Sequence, residues 1–193
     1  MNNVYVAIAF VVLFCGDVFG QGTLSSIGRV ETVEGTGTGF VVDPDPETPG
    51  FQVWTAGHVV SEVGENVAIR FDVGKSSERL YAGVVIKRRF DSQVDAAIVE
   101  VKFGEQKQPL EIGNSTRGAE HYYAGYSGFG FRGLRIIASS RRLSFGGRLW
   151  SPESRAGESG SPVWNKSGVI AVVVAKTGRM TITQPISDWL SLR

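Results

Sequence analysis

Residues Phe103–Gly118 read FGEQKQPLEIGNSTRG. This stretch is mostly polar and carries Pro109 and three glycines. It is the least strand-like segment in the middle of the chain, and what lies on either side of it decides the fold. Before it come six short runs with strand composition: Arg29–Glu34, Gly37–Val42, Gln52–Thr55, Asn66–Val73, Arg79–Arg88 and Asp95–Lys102. After it come six more: His121–Tyr126, Leu134–Ser139, Arg142–Leu149, Pro162–Asn165, Gly168–Ala175 and Arg179–Thr183. No long segment holds a 3.6-residue apolar period, and only Ile186–Arg193, starting near Ser187-Asp188, reads as a short helix. The expectation is an all-β chain of two six-stranded barrels, about 21–106 and 107–193, closed by a short C-terminal helix.

Composition narrows the chemistry. The 20 Lys and Arg nearly balance 19 Asp and Glu, so the net charge is +1 and no basic surface for nucleic acid is implied. Glycine, at 25 of 193 residues, runs to roughly twice the usual share of about 7%, as many tight turns between short strands require. With one cysteine, Cys15, no internal disulfide framework exists. With two histidines, His58 and His121, a His- or Cys-rich metal site is not expected, and no cofactor is implied.

The first residues look like an address. Val4–Gly16 (VYVAIAFVVLFCG) is a 13-residue apolar run, shorter than the roughly 20 residues of a membrane span and within the 7–15 or so of a signal-peptide core. Val18 and Gly20 supply small residues for a cut before Gln21, although no Lys or Arg precedes the run. Residues 1–20 are therefore read as a signal peptide and 21–193 as one exported domain, secreted or periplasmic, with no stable membrane anchor. The only cysteine leaves with the signal, so stability must come from packing.

Three motifs fit one chemistry. In Trp54-Thr55-Ala56-Gly57-His58-Val59-Val60, a strand ends in small residues and delivers a histidine at a turn. In Val94-Asp95-Ala96-Ala97-Ile98-Val99, a carboxylate opens an apolar strand, where burial demands a hydrogen-bond partner such as an imidazole N–H. Asp91 is the rival carboxylate; Asp95 is preferred because it abuts the apolar run. In Gly157-Glu158-Ser159-Gly160-Ser161-Pro162, a serine sits on a glycine-flanked turn, where backbone N–H groups can face a developing oxyanion. A serine that attacks, a histidine that takes its proton and an aspartate that fixes the histidine's tautomer form a working set. Each motif alone has a plainer reading as a turn or strand end.

Taken together, these motifs resemble the trypsin/chymotrypsin-like serine peptidases, in particular the disulfide-free bacterial branch with the high-temperature-requirement proteases and the glutamyl endopeptidases. Gly35-Thr36-Gly37-Thr38-Gly39-Phe40-Val41-Val42 and the Gly168-Val169-Ile170 strand extend the likeness over about residues 30–185. The resemblance implies a double six-stranded barrel with the site between its halves. It implies His58 as general base, Asp95 as orienting carboxylate, Ser159 as nucleophile, and the N–H groups of Gly157 and Ser159 as the oxyanion hole. The family pattern departs at two places. Ser161 stands where trypsin-like enzymes have glycine, as in glutamyl endopeptidases. Glu158 stands where zymogen-activated members carry an Asp that pairs with a newly freed amino terminus. Gly28-Arg29-Val30-Glu31 matches that terminus poorly, so activation by that route is not expected.

For specificity, the resemblance places Glu153 at the base of the primary pocket, where a carboxylate favours Lys or Arg; the plainer reading is a solvated loop residue neutralised by Arg155. His121 is a second candidate pocket residue. Val172–Ala175 is the expected cleft edge for an extended substrate. Lys87-Arg88-Arg89 reads as a solvated strand end. The expectation is an exported serine endopeptidase acting on protein or peptide without metal or cofactor. A peptidase-like barrel that binds peptide without cleaving it, and an esterase using the same residues, are the alternatives.

Overall fold

The computed structural model describes residues 21–42, 50–105, 107–114, 121–128, 133–139, 142–143, 149–150, 153–177 and 180–192. Residues 1–20, the expected signal peptide, lie outside them. After a one-turn helix α1 (Gln21–Ser25) come β1 (Ile27–Glu31), β2 (Thr36–Val42), β3 (Phe51–Thr55), a 3-10 turn (Gly57–Val59), β4 (Asn66–Phe71), β5 (Arg79–Phe90) and β6 (Asp95–Val101). These six strands close into a barrel in the order β1-β2-β3-β6-β5-β4. The second half holds β7 (His121–Tyr126), β8 (Leu134–Ser139), β9 (Arg142–Leu143), β10 (Leu149–Trp150), β11 (Pro162–Asn165), β12 (Gly168–Thr177) and β13 (Met180–Pro185), followed by helix α2 (Ile186–Leu190).

The second sheet runs β8-β7-β11-β12-β13-β10-β9. Its two ends, β8 and β9, are consecutive in the chain. Three peptide steps separate Ser139 from Arg142, so these ends stand at most about 11 Å apart. The sheet therefore curls round until its ends nearly meet, as the second half of a trypsin-like double barrel does. The expected run Arg142–Leu149 corresponds to two short strands here, with residues 144–148 outside the described set.

Period-2 alternation explains why the central strands read as continuous apolar runs. In β6, Ala97, Val99 and Val101 point into the first barrel with Val41, Val53, Ile69 and Phe71, whereas Ala96 and Ile98 point the other way. That opposite face joins Phe40 and Trp54 to Ala124, Tyr126, Val172 and Val174 of the second half, forming the core between the halves. Tyr123, Ile137, Val163 and Val173 fill a separate interior of the second sheet. Helix α2 plugs the inter-half core: Trp189 is buried and stacks on Trp54 with ring centroids 6.0 Å apart. The site is built on strands packed on both faces, which fixes its parts to rigid elements.

Candidate active site

His58 rides on the 3-10 turn that ends β3. Its ring Nδ1 lies 2.7 Å from Asp95 Oδ2, and its backbone N–H donates to Asp95 Oδ1 at 2.9 Å. Asp95, the first residue of β6, is thus engaged at both oxygens by one residue, which sets the imidazole's plane and orientation. From the second half, Gln184 Oε1 accepts the Asp95 backbone N–H at 2.9 Å and the Trp189 indole N–H at 3.1 Å, while its amide donates to Gln93 O. Asp91 does something else: its carboxylate takes the N–H groups of Gln93 and Val94, each at 2.7 Å, and pairs with Arg89. The Arg89 hydrogen bond and then these backbone donors hold its pKa down at about 2. It shapes the turn into β6 and does not meet His58.

Ser159 lies across an open cleft of about 390 Å³ from His58 and Asp95; Phe90, Ser154–Ala156 and Val174–Lys176 complete its lining. Among the described residues, no hydrogen bond joins the His58 ring to the Ser159 hydroxyl. Just before the serine, Glu158 N–H donates to Arg155 O at 3.0 Å and Gly157 has φ +90°. A four-residue turn with its third residue at positive φ is a type II turn, and glycine is the residue that tolerates it. A Cβ at Gly157 would stand 2.4 Å from Gly128 N, so space as well as torsion requires glycine. The N–H groups of Gly157 and Ser159 have no acceptor among the described residues.

A profile of the trypsin-like peptidase domain matches residues 37–173, a range that includes His58, Asp95, Gly157 and Ser159. The chain belongs to the trypsin-like peptidase family. Solved structures agree on the fold. The active form of the Rv3671c protease from M. tuberculosis superposes with TM-score 0.64 at 22% identity, over 88% of this chain and 80% of that one. The serine protease of human pathogenic astrovirus gives TM-score 0.61 at 20% identity, over 86% and 93%. A serine endoprotease from Yersinia pestis gives TM-score 0.69 at 11% identity, over 89% and 62%. No match is found among curated protein sequences.

Three residues of this peptidase support the site without having been legible as such. Thr38, fully buried in β2, gives its N–H to Ser159 O at 2.8 Å and its hydroxyl to Gly157 O at 2.9 Å. The same hydroxyl accepts the Tyr126 N–H at 2.8 Å. Both carbonyls of the nucleophile turn are thereby held on the far side, against the first barrel. Arg88, expected only as a solvated strand end, donates Nε to Gly57 O at 2.9 Å and Val60 O at 3.0 Å and lies over the Phe90 ring. It clasps the turn that carries His58. Arg135 on β8 is the third, and its partner is Glu158.

Glu158 is fully buried, with Arg135 Nη1 2.8 Å from Oε1, the Tyr123 hydroxyl 3.2 Å from Oε2, and Arg155 N–H 2.8 Å from Oε2. Burial, then the neighbouring carboxylate, drives the Tyr123 phenol pKa upward, so this phenol remains a donor. Glu153 pairs with Lys176 at 2.9 Å, not with Arg155, and both side chains are substantially exposed. Neither Glu153 nor His121, which is buried at the start of β7, is among the residues lining the cleft. The open strand edge begins later than expected. Val172 pairs with Pro162 and Gln184, and Val173 bonds to Gly160 and Ser161 as well as facing Thr183. Val174–Lys176 is the part that lines the cleft. Among the described residues no cluster of His, Cys, Asp and Glu could hold a metal ion, and no helix is long and apolar enough to cross a membrane.

Proposed function

We propose that this peptidase is a serine endopeptidase that cleaves through an acyl-enzyme on Ser159, with His58 and Asp95 completing the triad. The observation that carries the reading is the two-point His58–Asp95 contact facing a serine whose turn leaves two N–H groups free. With Nδ1–H committed to Asp95, Nε2 is the basic nitrogen. It takes the proton as Ser159 Oγ attacks the substrate carbonyl carbon. The N–H groups of Gly157 and Ser159 receive the negative charge on the carbonyl oxygen. His58 then gives the proton to the leaving amine, the C–N bond breaks, and water repeats the sequence on the ester. The His58–Ser159 bond is left to close with substrate present, as catalytic bonds in empty sites commonly do. An extended substrate adds a strand along Val174–Lys176.

Export after removal of residues 1–20 belongs to the same proposal, supported by the apolar run Val4–Gly16 and the small residues before Gln21. The test is reaction with a fluorophosphonate followed by peptide mapping, alongside a peptide-library digest. Label on Ser159, lost in Ser159→Ala, and internal cleavage of peptides are expected. Folded protein that takes no label but binds peptide would replace this reading with a non-cleaving module. Label with turnover of esters alone would make it an esterase.

A further inference from the structure

We infer that Arg135 is the positioning residue of the nucleophile turn, and that the turn takes its working shape in the uncut chain with no new terminus near Arg29. The inference rests on the peptidase reading above and adds what that reading leaves open.

A carboxylate with no solvent exposure directly beside a nucleophile must be fully compensated. Here the compensation is complete within the chain. Oε1 faces the Arg135 guanidinium, and Oε2 takes the Tyr123 O–H and the Arg155 N–H. Arg135 does more than neutralise. Its Nη2 donates to Glu153 O at 3.2 Å while Nη1 holds Glu158, so one rigid fork ties both ends of the segment Glu153–Glu158. Between these anchors lies the type II turn that frees the Gly157 N–H. The register agrees: Arg135 stands opposite Gly125 on β7. A Cβ at Gly125 would meet Ser161 Oγ at 2.0 Å and Glu158 Cγ at 3.2 Å. The bare backbone at Gly125 makes the room into which the Glu158 side chain and the turn pack.

The first barrel makes the complementary argument. An activating cut near Arg29 would have to release the chain that follows it, and that chain is β1. Residues 28–31 pair with β2 on one side and β4 on the other, and Val30 is completely buried in the barrel interior. Freeing that terminus would open a closed barrel, and the Glu158 carboxylate it would seek already has its cation. Arg135 therefore supplies internally the charge that a cleaved amino terminus would otherwise bring.

The experiment uses the full chain from Gln21, with fluorophosphonate labelling rate, kcat and KM on a peptide, thermal melting and intact mass. Two variants are compared with wild type. Arg135→Lys keeps the charge but lacks the fork. Arg135→Met with Glu158→Gln removes both charges, so no buried carboxylate is stranded if Arg135→Met alone fails to fold. The expected result is wild type that labels at its intact mass, and variants that melt cooperatively but lose kcat with KM little changed. The double variant should lose about 10²-fold or more, the scale of one lost oxyanion donor, and Arg135→Lys less. Folded variants that label and turn over at the wild-type rate would overturn the inference, as would wild type that labels only once mass spectrometry shows a terminus near Arg29. Wild type that never labels under any condition would instead defeat the peptidase reading itself.

Discussion

His58 meets Asp95 twice, through its ring Nδ1 at 2.7 Å from Oδ2 and through its own backbone N–H at 2.9 Å from Oδ1. The backbone contact locks the carboxylate in place before the ring is considered, and the ring contact then dictates which imidazole nitrogen stays basic. Asp95→Asn keeps the shape and can still accept the backbone N–H, but it turns an N–H toward Nδ1 and favours the wrong tautomer. Turnover should fall by about 10⁴-fold with melting little changed, read from pre-steady-state release of product.

Thr38 sits on the strand next to the one that delivers the histidine, yet it sets the serine's turn. Thr38→Val keeps the volume while removing the hydroxyl that Gly157 O and the Tyr126 N–H share. Stranding these buried groups should cost about 1–3 kcal/mol in urea unfolding. With the Gly157 carbonyl released, kcat should drop on the order of 10²-fold. Thr38→Ser restores the hydroxyl and should restore kcat. A folded Thr38→Val protein at full kcat would show that the turn holds its shape without this bond.

The strands that carry these residues were readable because their apolar runs are bounded by turn residues; β7, β8 and β11 match the expected spans residue for residue. The ends that moved did so for local reasons. β5 continues to Phe90 because a register shift between Val85 and Lys87 keeps the strand paired to β6 up to Asp95. β1 begins at Ile27, an apolar position whose partner is Phe40. The supporting contacts were not readable, because they join side chains to groups far along the chain: Thr38 to Gly157 across 119 positions, Asp95 to Gln184 across 89. Arg88 and Arg135 look like any strand-borne arginine until the fold shows what stands opposite. Gly125 was the one available trace of the Glu158 pocket, a glycine inside a strand that carries three tyrosines.

Lys176, which lines the cleft, makes an exposed ion pair with Glu153, which does not. Lys176→Ala removes this cation from the cleft and should shift cleavage toward substrates with Lys or Arg before the scissile bond. Solvent screening limits such a shift to about tenfold or less in kcat/KM. A library digest of the two proteins side by side measures it, and an unchanged preference would place Lys176 outside the specificity pocket.

Asp91 should matter to stability in one pH window only. Its folded pKa of about 2 lies below the ordinary 3.8, so its contribution is present above that ordinary value and is lost as pH falls through about 2. The gap in melting temperature between wild type and Asp91→Ala should be full at pH 5 and shrink steadily toward pH 2. A gap that does not narrow would mean that the turn's hydrogen bonds survive protonation.

Trp189 links the end of the chain to the candidate triad. Its ring is buried against Trp54, and its N–H shares Gln184 Oε1 with the Asp95 backbone. Two different losses can therefore be separated. Trp189→Ala empties a large core site and should cost about 3–5 kcal/mol, seen as a large fall in melting temperature. Trp189→Phe keeps most of the packing and should cost about 1 kcal/mol for the hydrogen bond. It leaves Gln184 bonded to Asp95, so kcat should stay near wild type. Gln184→Leu is the converse: the core remains filled, but the Asp95 N–H loses its acceptor at the head of β6, and kcat should fall while most of the stability is kept. If Trp189→Phe damaged kcat as much as Gln184→Leu, the indole itself, rather than the glutamine it steadies, would be what holds Asp95.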